Sequence, residues 1–227
     1  MFKIEYAKAT HKGSVREKNE DRVRVIKSKK LFLVADGLGA PGRGDVASST
    51  AVEVASKKFD PSQPASFYRM FRHAHEAVFE GNKGIANPAK FMGTTLAALH
   101  FSPNGKVLFG NVGDSRIYIK RGNHLVMLSE DHLDPLDRCL TQTIGGQKEA
   151  PTPKFRELYA KHGDVFLLCS DGLTNQVSEK EINEIISRNS LGKAVRELVK
   201  RANAHGGYDN VSVALIKFRE EKARREK

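Results

Sequence analysis

Cysteine is scarce in this sequence, which has Cys139 and Cys169 in 227 residues. Two cysteines are too few for a disulfide framework or a thiolate metal site, which agrees with a reducing compartment. Long apolar runs are also missing, because none approaches the roughly 20 residues that span a bilayer. The opening stretch MFKIEYAKATHKG has no apolar segment of signal-peptide length. We therefore expect a soluble, cytoplasmic protein with no membrane partner.

No tract of the sequence resembles a linker, a repeat or a low-complexity segment, and 39% hydrophobic residues suffice for a sizeable core. We expect a single monomeric domain over residues 1–218 and a charged tail over residues 219–227. The net charge of +11 raises the possibility of a nucleic-acid partner. Nucleic acid is disfavoured, because acidic residues interleave the tail and the basic clusters have essentially no aromatic residues for base stacking.

Short segments rich in Val, Ile, Leu and Phe predict strands. They are Arg22–Ile26, Leu31–Ala35, Thr94–Phe101, Lys106–Phe109, Arg116–Lys120, His124–Leu128, Val165–Cys169 and Val211–Phe218. The tight turns SPNG (102–105) and RGN (121–123) join neighbouring strands as antiparallel hairpins.

Two pairs of helices are predicted from apolar residues at helical spacing. In the first pair, one helix follows Gly44, with Asp45 as its cap, and the other follows Pro64. In the second pair, one helix follows Ser178 and the other follows a break at Gly192. Ser178 and Glu181 stand in capping-box register. Helices and hairpins together predict an α+β fold, a four-layer α-β-β-α sandwich of two mainly antiparallel sheets flanked by helix pairs.

An apolar run ends in Asp-Gly-Leu twice, in LFLVADGLG (31–39) and in VFLLCSDGL (165–173). The stretch from Gly37 to Gly42 also matches G-x-G-x-x-G, the dinucleotide-binding fingerprint, with Asp60 at a suitable distance. That interpretation is disfavoured, because the predicted helix reaches Asp60 and leaves no second strand. In addition, Asp36 would repel the pyrophosphate.

Four aspartates stand beside Gly or Asn at predicted strand ends: Asp36, Asp114, Asp171 and Asp209. Any one of them alone is more simply a turn or cap residue. Gathered in a fold, four carboxylates need a compensating cation, and an all-oxygen set favours Mg²⁺ or Mn²⁺ over zinc. His73 and His75 do not point to zinc, since their spacing places the two rings on different faces of a helix.

Carboxylate-bound Mg²⁺ or Mn²⁺ usually serves phosphate chemistry, in which an arginine fork binds phosphoryl oxygens. Arg16 in GSVREKNEDR is the candidate. Neither cysteine begins a C-x-x-x-x-x-R loop, and no G-x-x-x-x-G-K-[ST] phosphate loop is present. A Mg²⁺-dependent nuclease remains a minor alternative on charge alone.

Eight motifs in order resemble the metal-dependent serine/threonine phosphatases of the protein phosphatase 2C family, of the bacterial type. They are GSVREKNED, LFLVADGLG with GDVAS, MGTTLAAL, GNVGDSRIYIKR, SEDH, LTQTIGG, FLLCSDGLTNQVS and GYDNVSVALIKF. The resemblance implies hydrolysis of phosphoserine and phosphothreonine in proteins by a metal-bridging hydroxide, with a cognate serine/threonine kinase among the partners.

The resemblance also implies a role for each matching residue. Asp36 would bridge two Mn²⁺ or Mg²⁺ ions with the Gly37 carbonyl as a further ligand, and Asp171 and Asp209 would complete the first site. Asp21 and Glu20 would hold waters of the second ion. Asp114 would help bind a third, weaker ion, and Arg16 would bind the substrate phosphate.

Two features depart from the family pattern. Many relatives have a histidine shortly after the Asp-Gly turn, whereas this chain has Gly39-Ala40-Pro41 there. No residue at that position can therefore act as the acid that the histidine would supply. The flap of some tens of residues beside the site is reduced to LDPLDRC, between His132 and Leu140. A catalytically silent domain of the same fold that binds a phosphoprotein or another partner is therefore the alternative, although the complete set of metal ligands favours activity.

Overall fold

The computed structural model describes residues 2–39 and 42–221, and its strands form two antiparallel sheets. The first sheet has the order β1 (Phe2–His11), β11 (Val211–Glu220), β10 (Val165–Cys169), β7 (Arg116–Arg121) and β8 (His124–Met127). The second has the order β2 (Asp21–Ile26), β3 (Leu31–Leu38), β5 (Leu96–Phe101), β6 (Lys106–Val112) and β9 (Lys154–Tyr159), with the short β4 (Gly93–Thr94) beside β3. The turns at 102–105 and 121–123 join hairpins, as predicted.

Helices cover the outer face of each sheet. They are α1 (Gly44–Lys58), α2 (Ala65–Glu80), the single turn α3 (Asp171–Thr174), α4 (Glu179–Arg188) and α5 (Leu191–Ala204), with 3₁₀ turns at Lys27–Lys29 and Pro88–Lys90. Helices α1 and α2 pack on the second sheet and α4 and α5 on the first. The four-layer α-β-β-α sandwich predicted from the sequence is confirmed.

Strand β3 shows why its sequence is a continuous apolar run rather than an alternation. Leu31, Leu33 and Ala35 pack against α1 and α2, whereas Phe32 and Val34 face the other sheet. Successive side chains of a strand point to opposite faces, and here both faces are covered. Burying both faces holds the end of β3, and with it Asp36, in a fixed place.

The structure corrects several sequence-based expectations. Strands β1 and β9 were not predicted, and the predicted strand Thr94–Phe101 is divided into β4 and β5. Asp45 is not the cap of α1: the helix starts at Gly44 after Arg43, with no side-chain cap, and Asp45 lies in the first turn. Helix α5 already includes Gly192, because the break falls at Asn189 and Ser190.

Two other expectations concern the C-terminal part of the chain. The capping box of α4 is confirmed, since the Ser178 hydroxyl accepts from the Glu181 N–H and the Glu181 carboxylate accepts from the Ser178 N–H. Of the predicted tail, Arg219 and Glu220 belong to β11, and residues 222–227 lie outside the described part of the chain. Among the helices of that described part, none combines the length and the apolarity needed to cross a membrane.

Candidate active site

Both sheets bring aspartates to the same end of the sandwich. In the β2–β3 ladder Asp21 pairs with Asp36, because antiparallel strands begin where their partners end. In the other sheet Asp171 follows β10 and Asp209 precedes β11, and the Ser170 N–H donates to the Ser212 carbonyl at 3.1 Å. The antiparallel topology therefore gathers residues that lie far apart in the sequence.

An open cleft of about 590 Å³ lies at this end. Seven of the eight residues predicted for the site line it: Arg16, Glu20, Asp36, Gly37, Asp114, Asp171 and Asp209. The eighth, Asp21, lies beneath the cleft rather than in its wall. The structure thus brings the predicted residues together at one end of the sandwich, and their roles there stay predictions.

Asp21 is a buried carboxyl with only 2% of its surface exposed. The Ser170 hydroxyl donates to its Oδ2 at 2.7 Å, while its Oδ1 has no hydrogen-bond partner. Burial raises the pKa of Asp21 to about 7, although the Ser170 hydrogen bond opposes the shift. A buried acceptor without a donor is costly, so this position favours a cation or a proton nearby.

Carboxyls that line the cleft also have raised pKa values. Burial, then the charges of Asp21 and Asp171, raise the pKa of Asp36 well above its ordinary value. Burial likewise raises the pKa of Asp171, and it raises that of Asp114 to about 6 with help from the Asp171 charge. These groups repel one another, and a divalent cation among them would reverse that repulsion.

Glycine is required at both Asp-Gly steps because another backbone segment passes against it. A Cβ at Gly37 would overlap the Gly44 carbonyl, and the Gly37 N–H donates to the Glu20 carbonyl at 3.2 Å. A Cβ at Gly172 would overlap the Asn210 carbonyl. The two glycines therefore let other backbone segments pass close to the strand ends. At Gly37 these are the start of α1 and the loop that carries Glu20, and at Gly172 it is the loop that carries Asp209.

Arg16 stands at the rim of the cleft. Its Nη2 donates to Asp209 Oδ2 at 2.9 Å, and its side chain is 57% exposed. The pKa of Arg16 is raised, first by this hydrogen bond and also by the charges of Asp36 and Glu20. An exposed guanidinium held above a group of carboxylates can bind a phosphoryl group that enters the cleft.

Sequence reasoning missed several residues that hold the site together. The Asn210 side chain accepts from the Glu20 N–H at 2.7 Å and donates to the carbonyls of Lys12 and Lys18 at 2.8 and 2.9 Å. Its place directly after Asp209, in GYDNVS, was the available signal. The Thr95 hydroxyl accepts from the Asp36 N–H at 2.9 Å, and Asn175 Nδ2 donates to Asp171 Oδ2 at 3.0 Å.

The shortened flap is a compact turn. The Thr141 N–H donates to the His132 carbonyl at 2.9 Å, and the Asp134 N–H to the Cys139 carbonyl at 2.8 Å, which closes the turn at its base. Leu136 at its tip is 93% exposed, and Leu140 after it lines the cleft. Of the departure at Gly39-Ala40-Pro41, Gly39 lines the cleft and the other two residues lie outside the described ranges.

With the cleft described, comparison with known proteins decides the family. The family model Protein phosphatase 2C matches residues 10–216. The chain belongs to the protein phosphatase 2C family, the metal-dependent serine/threonine protein phosphatases. It is 32% identical to the serine/threonine phosphatase stp of Listeria welshimeri, over 91% of this chain and 93% of that protein. It is 31% identical to the protein phosphatase PhpP of Streptococcus pneumoniae, over 97% of this chain and 100% of that protein.

Solved phosphatase structures agree with the fold. The serine/threonine phosphatase PstP/Ppp of Mycobacterium tuberculosis superposes with a TM-score of 0.86 at 26% identity, covering 96% of this chain and 99% of that one. The catalytic domain of PstP in complex with two manganese ions superposes with a TM-score of 0.85 at 27% identity, covering 97% and 100%. Metal binding is thus seen in a relative of the same fold.

The cleft of this phosphatase fits a divalent cation by its chemistry. Its donor groups are carboxylate and carbonyl oxygens, which Mn²⁺ and Mg²⁺ accept. The Oδ1 atoms of Asp21 and Asp171 are buried and lack hydrogen-bond partners. Within residues 2–39 and 42–221, no group of three or more His, Cys, Asp or Glu side chains is arranged closely enough to hold a metal ion. The carboxylates instead line an open cleft.

Proposed function

We propose that this phosphatase hydrolyses phosphoserine and phosphothreonine in proteins in one step, with water as the attacking group and no phosphoenzyme. The observation that carries the proposal is the convergence of carboxylates from both sheets at one cleft, beneath the guanidinium of Arg16. Such an arrangement suits charge neutralisation of a phosphoryl group rather than covalent catalysis.

The described lining of the cleft offers no thiol, imidazole or unoccupied hydroxyl as a nucleophile, which supports direct attack by water. Among the described residues that line the cleft there is no Cys or His, and the hydroxyl of Thr95 is occupied by the Asp36 N–H and by Ser115 at 2.6 Å. Burial raises the pKa of Cys169 to about 12, so that thiol is inert. Cys139 lies outside the cleft lining, and its hydrogen bond to Asp137 raises its pKa.

Each carboxylate then has a proposed part in holding the ions. Asp36 and the Gly37 carbonyl would hold the ions together with Asp171 and Asp209, with Asp36 serving both of two ions. Asp21 and Glu20 would hold waters of the second ion, and Asp114 would contribute to a third. When bound, Mn²⁺ or Mg²⁺ neutralises phosphoryl oxygens and lowers the pKa of a bound water.

Arg16 has a separate task in this proposal. Its fork of N–H groups holds the substrate phosphate by two of the oxygens that do not react, which orients the phosphorus toward the cleft floor. The ion pair with Asp209 keeps the guanidinium at the rim before substrate arrives. The leaving serine or threonine oxygen takes its proton from water, because the described cleft lining offers no histidine.

We further propose that the enzyme works in the cytoplasm on phosphorylated proteins, a cognate serine/threonine kinase among them. The alternative is a silent phosphatase-fold domain that binds phosphoproteins without turnover. Completeness of the carboxylate set argues for activity, since a silent domain has no need to retain mutually repelling carboxyls at its cleft.

The deciding experiment is hydrolysis of a phosphothreonine peptide by metal-stripped protein, titrated with Mn²⁺ and with Mg²⁺. We expect phosphate release only with metal, and a loss of about 100-fold or more in Asp171→Asn, since removing charge from such a site costs several kcal/mol. Asp60→Asn, in the loop between α1 and α2, is the matched control and keeps full activity. A folded protein with no turnover under either ion would establish the silent domain instead.

A further inference from the structure

A second groove, of about 520 Å³, lies between strand β1 and helix α5. From the helix it is lined by Arg196, Val199, Lys200 and Asn203, whose spacing of three, four and seven residues places them on one face. From the strand side it is lined by residues 9–11, and Ser14 follows at its end. We call it the α5 groove.

The α5 groove is basic and has no acidic residue in its lining. Arg196 and Lys200 are exposed, and within the described part of the chain neither has a carboxylate within ion-pairing distance. The long stems of these side chains, with Val199 and Ala9, supply an apolar floor. An apolar floor under unpaired cations suits an extended peptide that carries negative charge.

His11 adds a hydrogen-bond donor to the groove. Its Nδ1 accepts from the Gly13 N–H at 3.0 Å and lies 3.2 Å from Asn203 Nδ2. Both neighbours donate, so the neutral ring carries its proton on Nε2. The free nitrogen of His11 is therefore a donor in either protonation state, which favours an acceptor such as a carboxylate in the groove.

The α5 groove is joined to the catalytic cleft by a short, fixed segment. Ser14 lines the groove and Arg16 lines the cleft, and their Cα atoms lie at most about 7 Å apart because two residues of chain join them. The N–H groups of Ser14 and Val15 donate to the Gly207 carbonyl at 2.7 and 3.3 Å, two residues before Asp209. A peptide whose phosphate is held at Arg16 can therefore continue into the groove.

We propose that the α5 groove docks an acidic segment of the phosphoprotein substrate, located about three to six residues from the phosphorylated residue by the reach of an extended chain. The inference rests on the proposed function and adds to it a preference among substrates. Opposite charge across a docking surface speeds encounter and fixes register, while the chemistry stays at the cleft.

The test measures kcat/KM on three phosphothreonine peptides of equal length: one neutral, one with four glutamates before the phosphoresidue and one with four after it. We expect one acidic peptide to exceed the neutral one by about fivefold at low salt, the scale of two exposed ion pairs. The preference should shrink at 0.5 M NaCl, a concentration chosen because charges at the surface are then largely screened.

Charge reversal locates the preference. The double variant Arg196→Glu with Lys200→Glu is expected to abolish the acidic preference. The double variant Lys58→Glu with Arg69→Glu, on α1 and α2, changes the net charge equally and is expected to keep it. Thermal unfolding of both variants verifies that they are folded, so a lost preference is not a lost structure.

Failure of this inference is distinguishable from failure of the proposed function. Hydrolysis of the neutral peptide by the wild type upholds the function in every case. Equal rates on all three peptides, or a preference that survives in Arg196→Glu with Lys200→Glu, would overturn the docking site. Stronger inhibition by a single-stranded RNA than by polyglutamate of the same length, if lost in Arg196→Glu with Lys200→Glu, would also overturn it, because the groove would then bind a polyphosphate.

Discussion

The two Asp-Gly-Leu endings have the same sequence and different local structure. Asp36 remains in strand β3, and Gly37 and Leu38 after it pair with Thr94 and Gly93 of β4. Asp171 instead opens the helical turn α3 directly after β10. Both carboxyls nevertheless line the same cleft. The same Asp-Gly-Leu sequence therefore places a carboxylate at the cleft in both cases, while the conformation of the backbone around it depends on its neighbours in the fold.

What the endings have in common is a crowded glycine after the aspartate, and what differs is the support of the carboxyl. Asn175 donates to Asp171, whereas the hydrogen bond next to Asp36 goes from its backbone N–H to Thr95. Burial and three neighbouring carboxyls raise the pKa of Asp36, whereas the upward shift in the pKa of Asp171 is opposed first by its hydrogen bond with Asp36 and then by that with Asn175. Asp36 is thus surrounded by more negative charge than Asp171, which is consistent with the proposal that two ions share it.

The largest effect that separates the endings is on turnover. With saturating Mn²⁺ we expect Asp36→Asn to lower kcat/KM by roughly 1,000-fold or more and Asp171→Asn by roughly 100-fold, because in the proposed arrangement the first serves two ions and the second serves one. Phosphate release from a phosphothreonine peptide measures both. Equal losses in the two variants would contradict the bridging role of Asp36.

Glycine substitution breaks what the endings share. Gly37→Ala and Gly172→Ala each force a Cβ into a carbonyl of a crossing segment, so each should lower the free energy of unfolding by about 3 kcal/mol and reduce activity. Gly192→Ala, inside α5 with room for a Cβ, should instead stabilise the protein by about 1 kcal/mol. Chemical denaturation measures all three. If either ending tolerated alanine at no cost, the close crossing would not be needed there.

Without metal, the raised pKa values of the carboxyls should appear in the pH dependence of the free energy of unfolding. In EDTA, groups with a raised pKa such as Asp21, at about 7, and Asp36 keep protons in the folded protein that the unfolded chain loses near pH 4. Their contribution to the free energy of unfolding therefore falls as pH rises from about 4 to 7. Buried histidines with a lowered pKa, such as His75, His100 and His132, contribute with the opposite sign below their ordinary value.

Variants isolate the carboxyl part of this pH dependence, because they keep the histidines. Relative to the wild type, Asp36→Asn in EDTA should gain stability at pH 7.5 and show a flatter fall between pH 5 and 7.5. Asp171→Asn should behave likewise to a smaller extent. Melting temperatures across that range provide the measurement. Parallel curves for the wild type and Asp36→Asn would mean that the carboxyls do not repel one another in the metal-free protein.

Much of this site could be predicted from the sequence because its chemistry is locally encoded. Asp36 and Asp171 follow apolar runs that are buried on both faces. The glycine after each aspartate indicates that another backbone segment passes close by, although the sequence does not say which segment it is. Strands β3 and β10 were recognised for the same reason. By contrast, β9 is half-exposed and reads as KFRELY, so its pairing with β6 rather than any apolar pattern makes it a strand.

Other features depend on contacts across nearly the whole chain. Asn210 bonds to the segment around Glu20 across 190 or more residues, and no local pattern signals such a partner. Strand β1 carried a local signal that was missed, because Phe2, Ile4 and Tyr6 alternate with charged residues and pack on one face, but its partner β11 lies at the other end of the sequence. Its position matters for the proposed docking site, since β1 provides one wall of the α5 groove.

The smallest expected effect concerns the support that distinguishes the second ending. Asn175→Ala removes the amide that donates to Asp171, so the pKa of that carboxyl should rise further and its hold on a cation should weaken. Because Asn175 acts through Asp171, we expect the Mn²⁺ concentration for half-maximal activity to rise by about tenfold, with kcat nearly restored at saturating metal. Thr174→Ala, one residue earlier, is the control, as its hydroxyl makes only a long bond to the Asp171 carbonyl at 3.4 Å. A fall in kcat that added Mn²⁺ does not restore would mean that Asn175 contacts the reacting groups itself, and the two endings would then differ in chemistry as well as in support.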